Sequence, residues 1–150
     1  MVDKAAEGKQ GVPFEMEVER GKIYELASAI KADHPAFYSA TPVAPPTFLT
    51  TTFFWEERVP GANPWSLVKM DQQRGMHAEQ EYEFFGPPPA AGTKLTCRST
   101  ITRIFEKAGK RGGQMTFVVM ETDFVDASGK LVAKAKMTGV EPAPATEGGA

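Results

Sequence analysis

The residues from 47 to 58 read TFLTTTFFWEER, and they are apolar on most sides when placed on a helix. A helix that is apolar nearly all round is a buried helix. The run Thr50-Thr51-Thr52 lowers the intrinsic helix propensity and leaves a strand as the competing interpretation. We favour the buried helix, which Pro60 and Gly61 then end.

A strand and an amphipathic helix precede this segment. Residues 14–19 alternate apolar side chains with glutamates, which predicts a short strand with one buried face. Apolar residues then recur at Ile23, Leu26, Ala27 and Ile30, the spacing of an amphipathic helix. We expect Pro35 to stop that helix, because the residue before a proline is pushed out of the α region.

Four strands are predicted to follow. In the first, residues 78, 80, 82 and 84 face the core, whereas His77 shares the opposite face with Glu79, Glu81 and Glu83. The others cover residues 94–107, 114–126 and 131–140. Because the connections are short, we expect largely antiparallel pairing, and hence an α+β domain with a curved antiparallel sheet around a central helix.

Composition bounds the class of protein. The 150 residues suffice for one domain, and a net charge of −2 gives no reason to expect a nucleic-acid partner. A single cysteine, Cys97, excludes an internal disulfide and a thiolate zinc cluster. No apolar run approaches the roughly 20 residues of a membrane helix, and no apolar stretch near Met1 reads as a secretory signal. We therefore expect a cytoplasmic protein with a flexible arm at 1–11, a domain at 12–140 and a disordered tail at 141–150.

Several blocks of sequence, in this order and spacing, carry a resemblance over roughly residues 12–140. They read FEMEVERGKI (14–23), VAPPTF (43–48), HAEQEYEF (77–84), LTCRS (95–99), and EKAGKRGG (106–113) leading into TFVV. In these blocks the chain resembles the MaoC-like dehydratase family, specifically its N-terminal, FAS1-like dehydratase half. The resemblance implies a single hot-dog fold.

The same resemblance implies reversible hydration of 2-enoyl thioesters by an Asp and a His, in a segment G-D-x-N-P-(apolar)-H. The matching segment here is KADHPAF, residues 31–37. With Pro35 as the anchor, Ala32 occupies the Asp position and Phe37 the His position, and neither side chain transfers a proton. Asp33 and His34 are the only substitutes nearby. Neighbours on extended backbone point in opposite directions, so we favour a turn aspartate and a loop histidine instead.

Substrate-binding candidates come from the resemblance and from the predicted faces. We expect Phe48 to be a core residue, with the wall of an acyl channel as the alternative. Gln80 and Tyr82 lie on the inward face of the strand at 77–84, where they could line the same channel. Cations in a glycine-rich turn are suited to coenzyme A phosphates, although a solvated hairpin tip is the favoured alternative. The full set of candidates is Pro46, Thr47, Phe48, Gln80, Tyr82, Lys110 and Arg111.

The resemblance, together with Ala32 and Phe37 at the dyad positions, implies one subunit of an enoyl-thioester hydratase or (R)-3-hydroxyacyl-thioester dehydratase in lipid metabolism. It would be the non-catalytic hot-dog of a heteromeric enzyme, inactive alone, whose partner is a second hot-dog with the intact motif. A homodimer is expected in isolation. Coenzyme A or acyl carrier protein would carry the substrate, with no cofactor or metal. The alternatives are an acyl-CoA thioesterase using Asp33 or Glu56, and a non-enzymatic acyl-CoA binding module.

Overall fold

One antiparallel sheet organises the chain. The computed structural model describes residues 1–109 and 113–144. Its strands are β1 (Phe14–Glu17), β2 (Met76–Phe84), β3 (Lys94–Ala108), β4 (Gln114–Asp126) and β5 (Leu131–Pro142), in the spatial order β1-β3-β4-β5-β2. Every pairing between neighbours is antiparallel. The predicted architecture, a curved antiparallel sheet with a helix against it, is confirmed.

Two hydrophobic clusters hold this sheet to the segments that cover it. The larger joins the apolar face of β1 to the helical residues Phe48 and Leu49 and to Phe124 at the centre of the sheet. Phe48 and Phe124 are fully buried, as the alternating and all-apolar patterns predict. The cluster thus fixes residues 48–56 over the concave face.

The helical segment over the sheet is shorter and less buried than predicted. Phe48–Thr52 forms a 3-10 helix, and only Phe53–Glu56, here α2, makes an α-helical turn. Phe53 and Phe54 are 43% and 47% exposed, so the expectation of a helix buried all round is wrong for this end. The β-branched threonines account for the tighter winding, since they disfavour an α-helix and Thr52 Oγ1 donates a hydrogen bond back to the Leu49 carbonyl.

Helix α1 (Arg20–Ala29) ends before the predicted stop at Pro35. Lys31 adopts a left-handed conformation with φ of 54°. The Ala32 N–H then donates to the Ala27 carbonyl at 2.9 Å and the Lys31 N–H to the Ser28 carbonyl at 3.1 Å. These two bonds form a Schellman cap, which normally uses glycine at the left-handed position.

The N-terminal residues are not the flexible arm that composition suggested. Val2 and Ala6 are buried in the second cluster, against Val68, Ile101 and Val118. Backbone bonds also tie this segment down, for example from the Gly8 N–H to the Ile101 carbonyl at 2.8 Å. Polar composition concealed this docking because only two small apolar side chains provide it.

Both boundaries of the predicted domain therefore shift. Gly11, assigned to the arm, packs so tightly that a Cβ would collide with the Ala62 carbonyl. At the other end β5 continues through Pro142, and Glu141 is buried instead of starting a disordered tail. Residues 145–150 of the predicted tail lie outside the described residues.

Candidate functional site

Two adjacent cavities lie between the concave face of β2, β4 and β5 and the segments that cover it. Their volumes are about 140 Å³ and about 350 Å³. They share four lining residues, Phe53, Glu56, Met120 and Met137, so these side chains form the partition between them. Leu49, Phe124 and Ala135 add apolar walls to the smaller cavity. Apolar walls with few polar groups are typical of small-molecule sites.

Glu56 is the buried carboxyl of this site. It projects from the last residue of α2 and is 5% exposed. Ser99 Oγ donates a hydrogen bond to Glu56 Oε1 at 2.8 Å, and the Ser99 and Thr122 hydroxyls are 2.9 Å apart. Burial raises the pKa of the Glu56 carboxyl, outweighing the hydrogen bond from Ser99, which lowers it. Burial and the Ser99 hydrogen bond therefore act in opposite directions on a carboxyl that lies beside both cavities.

His77 lies on the opposite face from the one predicted. It pairs with Gly139, whereas Glu79 pairs with Thr138, so Ala78 is an extra, bulged residue in β2. One extra residue reverses the alternation of side chains along a strand. His77 consequently lines the larger cavity. Glu79 and Glu81 stay on the outer face beside Lys136, whose Nζ is 3.2 Å from Glu81 Oε2.

Gln80 and Tyr82 lie where the alternation placed them, on the wall of the smaller cavity. Tyr82 Oη shares a short hydrogen bond with Thr50 Oγ1 of the 3-10 helix. Burial raises the pKa of the Tyr82 phenol. The hydroxyl therefore remains neutral and links β2 to the helical segment across one end of the cavity.

The other substrate-binding candidates lie elsewhere. Pro46 and Thr47 are exposed, and Phe48 is fully buried in the main core, away from the walls of both cavities. Phe48 belongs instead to the main core cluster, together with Leu49 and Phe124. Lys110 and Arg111 lie outside the described residues.

The segment at 31–37 supplies no proton-transfer pair to the cavities. Ala32 belongs to the cap of α1, and its carbonyl accepts a hydrogen bond from Tyr38 Oη at 2.8 Å. Phe37 packs against the main core. Asp33 and His34 are exposed, and His34 Nδ1 accepts from the Ala36 N–H at 3.2 Å, capping the short helix Pro35–Phe37. Neither residue lines either cavity.

Trp65 is a wall residue of the larger cavity. It lies in a 3-10 helix, Pro64–Val68, and its ring closes the larger cavity against β5. Met120 and Met137 were not singled out at all, since they were simply apolar positions in predicted strands. Glu56, which the thioesterase alternative named together with Asp33, lies on the walls of both cavities, whereas Asp33 lies on neither.

Cys97 is an inert core thiol. It lies in β3, paired with Phe14 of β1, where it is fully buried, and burial raises the pKa of its thiol to about 12. A thiol with so high a pKa is a poor nucleophile. Across residues 1–109 and 113–144, no three His, Cys, Asp or Glu side chains are grouped as metal ligands. In that same part of the chain, no helix has the length and apolarity to span a membrane.

Known proteins resemble this chain in sequence and fold. The profile of the family described as "FAS1-like, dehydratase domain region" matches residues 5–135. A UPF0336 protein of Streptomyces griseus is 30% identical over 128 residues, which cover 79% of this chain and 80% of that protein.

Two solved complexes contain chains of the same fold. The C-terminally truncated HadBC (3R-hydroxyacyl-ACP dehydratase) complex of Mycobacterium tuberculosis matches with a TM-score of 0.69 and 27% identity, covering 90% of this chain and 96% of that one. The ChsH1-ChsH2 complex of the same organism matches with a TM-score of 0.67 and 16% identity, covering 95% and 89%. With the profile matching nearly the whole described chain, this protein belongs to the FAS1-like dehydratase domain family of MaoC-like hot-dog proteins.

Proposed function

We propose that this chain is the non-catalytic, substrate-binding subunit of a heteromeric enzyme that hydrates 2-enoyl thioesters or dehydrates (R)-3-hydroxyacyl thioesters. The observation that carries this proposal is the pair Ala32 and Phe37 at the positions of the family's acid–base dyad. Hydration joins the oxygen of water to Cβ and a proton to Cα. These proton transfers require side chains that can accept and donate protons, which the methyl group of Ala32 and the phenyl group of Phe37 cannot do.

The cavities over the concave face are proposed to hold the acyl chain. Their shared walls are the side chains of Phe53, Met120 and Met137, which suit a hydrocarbon chain, and methionines adapt to irregular shapes. The reacting carbons would then lie against the partner's dyad. Coenzyme A or acyl carrier protein enters this scheme only as the carrier of the substrate, and no cofactor is required for proton transfer and carbonyl polarisation.

The partner is proposed to be a second hot-dog with an intact D-x-N-P-x-H segment. Strand β2 is one edge of the sheet, and its Met76 is 57% exposed. An unpaired edge strand presents free N–H and C=O groups that another strand can satisfy. HadBC is itself a complex of this fold, which supports a heteromeric assembly here. Without the partner, a homodimer through the same edge is the expected substitute.

A thioesterase is the second candidate, and Glu56 is the observation that favours it. The carboxyl lies on the partition between the cavities, where it could take a proton from water attacking a thioester carbonyl and pass it to the leaving thiolate. Release of free thiol from acyl-CoA by the purified chain, and its loss in Glu56→Gln, would establish this activity in place of the dehydratase role.

Filling the cavity tests the proposal directly. Met137→Trp would place an indole on the wall that the two cavities share, whereas Lys136→Trp puts the same side chain on the outer face. We expect the first variant to weaken binding of a medium-chain acyl-CoA at least tenfold and the second to leave it unchanged. Unaltered binding by a folded Met137→Trp chain would overturn the assignment of the acyl site.

A further inference from the structure

Glu56 is the only carboxyl on the walls of the two concave-face cavities in the described part of the chain. Its apolar surroundings make it expensive to keep there. A buried carboxyl costs folding free energy unless its oxygens find partners. Leucine or methionine would fill the same position in the hydrophobic core without the free-energy cost of burying a carboxyl.

Only one of its two oxygens is occupied by the protein. Ser99 donates to Oε1 at 2.8 Å, and the Ser99 hydroxyl is itself paired with Thr122 at 2.9 Å. No residue among 1–109 and 113–144 donates a hydrogen bond to Oε2. The Ser99–Thr122 pair therefore fixes the orientation of the carboxyl while leaving its second oxygen for a ligand in the cavity.

We propose that Glu56 selects acyl chains that carry a hydroxyl or keto oxygen at the depth of the partition, by a hydrogen bond from or to that oxygen. The proposal rests on the proposed function, because it takes the cavities to be the acyl site. It adds the chemical class of the acyl group. An unsubstituted chain would bury Oε2 without a partner, whereas an oxygenated chain would satisfy it.

The hydrogen-bond inventory of the site suits such a group. A carboxyl accepts a hydrogen bond from a hydroxyl in either protonation state, and its neutral form can also donate to a hydroxyl or keto oxygen. Burial favours the neutral form of Glu56, since it raises the pKa. Sites built to bind a substrate hydroxyl discriminate strongly against the analogue that lacks it, because their buried polar groups are then left unpaired. The apolar side chains of Leu49 and Phe124 would bind the rest of the chain in either case.

The test compares matched acyl-CoA pairs on the full chain by calorimetric titration. Each pair consists of a saturated acyl-CoA and its ω-hydroxy derivative, in a series of chain lengths, because the depth of Glu56 selects one length. We expect at least a fivefold preference for the hydroxylated member at one length. A preference below fivefold at every length would overturn the proposal.

Three variants separate hydrogen bonding from folding. Glu56→Gln keeps a donor and an acceptor and should retain the preference, whereas Glu56→Leu should abolish it and bind the saturated chain more tightly. Glu25→Gln, at an exposed position of helix α1 that lines neither cavity, is the matched control and should behave as the parent chain. A preference that survives in a folded Glu56→Leu chain would contradict the proposal.

The same titrations distinguish failure of the proposed acyl site from failure of the proposed role of Glu56. If the acyl site is wrong, the parent chain would bind neither member of any pair, and Met137→Trp would change nothing. Equal, tight binding of both members would instead leave the acyl site standing and refute only the role of Glu56.

Discussion

The indole of Trp65 lies directly on Gly139 of β5, so that a Cβ at position 139 would be 2.7 Å from Cη2 and 2.8 Å from Cζ2 of the ring. A glycine in a strand often marks the close approach of another group. Here it lets the ring close one end of the larger cavity. The absence of a side chain at one position thus shapes the candidate acyl site.

We expect Gly139→Ala to destabilise the fold by roughly 1–3 kcal/mol, because the added methyl displaces a large, rigid ring. Urea unfolding measures this. Gly21→Ala is the matched control: a Cβ there contacts nothing within 4 Å, and the residue lies in helix α1, where alanine is favoured over glycine. Equal stability of Gly139→Ala and the parent chain would mean that the ring does not occupy this position.

The sequence pattern predicts the strands well because each buries one face. The glutamates of β2 mark its outer face, and the alternation in β1 marks its buried face. The structure places these side chains on the predicted faces along most of both strands. The pattern fails at Ala78, because a bulge depends on how β2 pairs with β5 and leaves no periodic trace. His77 was therefore assigned to the wrong face.

Two other failures have local causes. The winding of residues 48–56 depends on β-branched threonines between two apolar groups, where 3-10, α and strand propensities are close. The docking of the N-terminus depends on Val2 and Ala6 filling a space that only the folded sheet creates. The positions of residues 31–37 and of the cavity partition relative to the sheet depend on how these segments pack, which the sequence pattern does not specify.

Stability should depend on pH through Glu56. Its pKa is raised above the ordinary 4.5, so between about 4.5 and the raised pKa the folded chain holds a proton that the unfolded chain has released. The free energy of unfolding therefore falls as the pH rises through this window. Glu56→Gln should remove that fall, which urea unfolding at a series of pH values from about 4.5 upward would reveal.

Other titratable groups near Glu56 require a control. Glu57 and Cys97 interact with it electrostatically, Tyr82 lines the smaller cavity, and His77 lines the larger one. His77 is the imidazole that shares the walls of the larger cavity with Glu56. His77→Gln should leave the difference between parent and Glu56→Gln intact. Parallel pH profiles for parent and Glu56→Gln would contradict the assignment.

Arg74 anchors the loop that leads into β2. It donates to Asp71 Oδ2 at 2.8 Å, to Glu141 Oε1 at 3.0 Å and to the Pro142 carbonyl at 2.6 Å. Arg74→Met would leave the buried Glu141 carboxylate without this partner, so we expect a lower urea midpoint. Lys69→Met removes an exposed pair with Asp3 and should change the midpoint little. Equal effects of the two variants would show that the Arg74 contacts contribute no more than a surface pair.

Assembly should follow from the exposed edge of β2. We expect light scattering across a dilution series to show a homodimer of the isolated chain, and a heterodimer once a hot-dog subunit with an intact D-x-N-P-x-H segment is added. A chain that remains monomeric at micromolar concentration, with no change on adding that subunit, would remove the argument for a two-hot-dog enzyme.

Hydration of a 2-enoyl-CoA by the purified chain, alone and with the motif-bearing subunit, tests the central claim most directly. The account predicts no turnover by the chain alone, since loss of an acid–base group typically reduces rates by about 10²–10⁴-fold, and turnover once the partner is present. It also predicts that Asp33→Ala and His34→Ala leave the rate of the complex unchanged. Robust turnover by the isolated chain that either substitution abolishes would contradict the account and make Asp33 and His34 the catalytic pair.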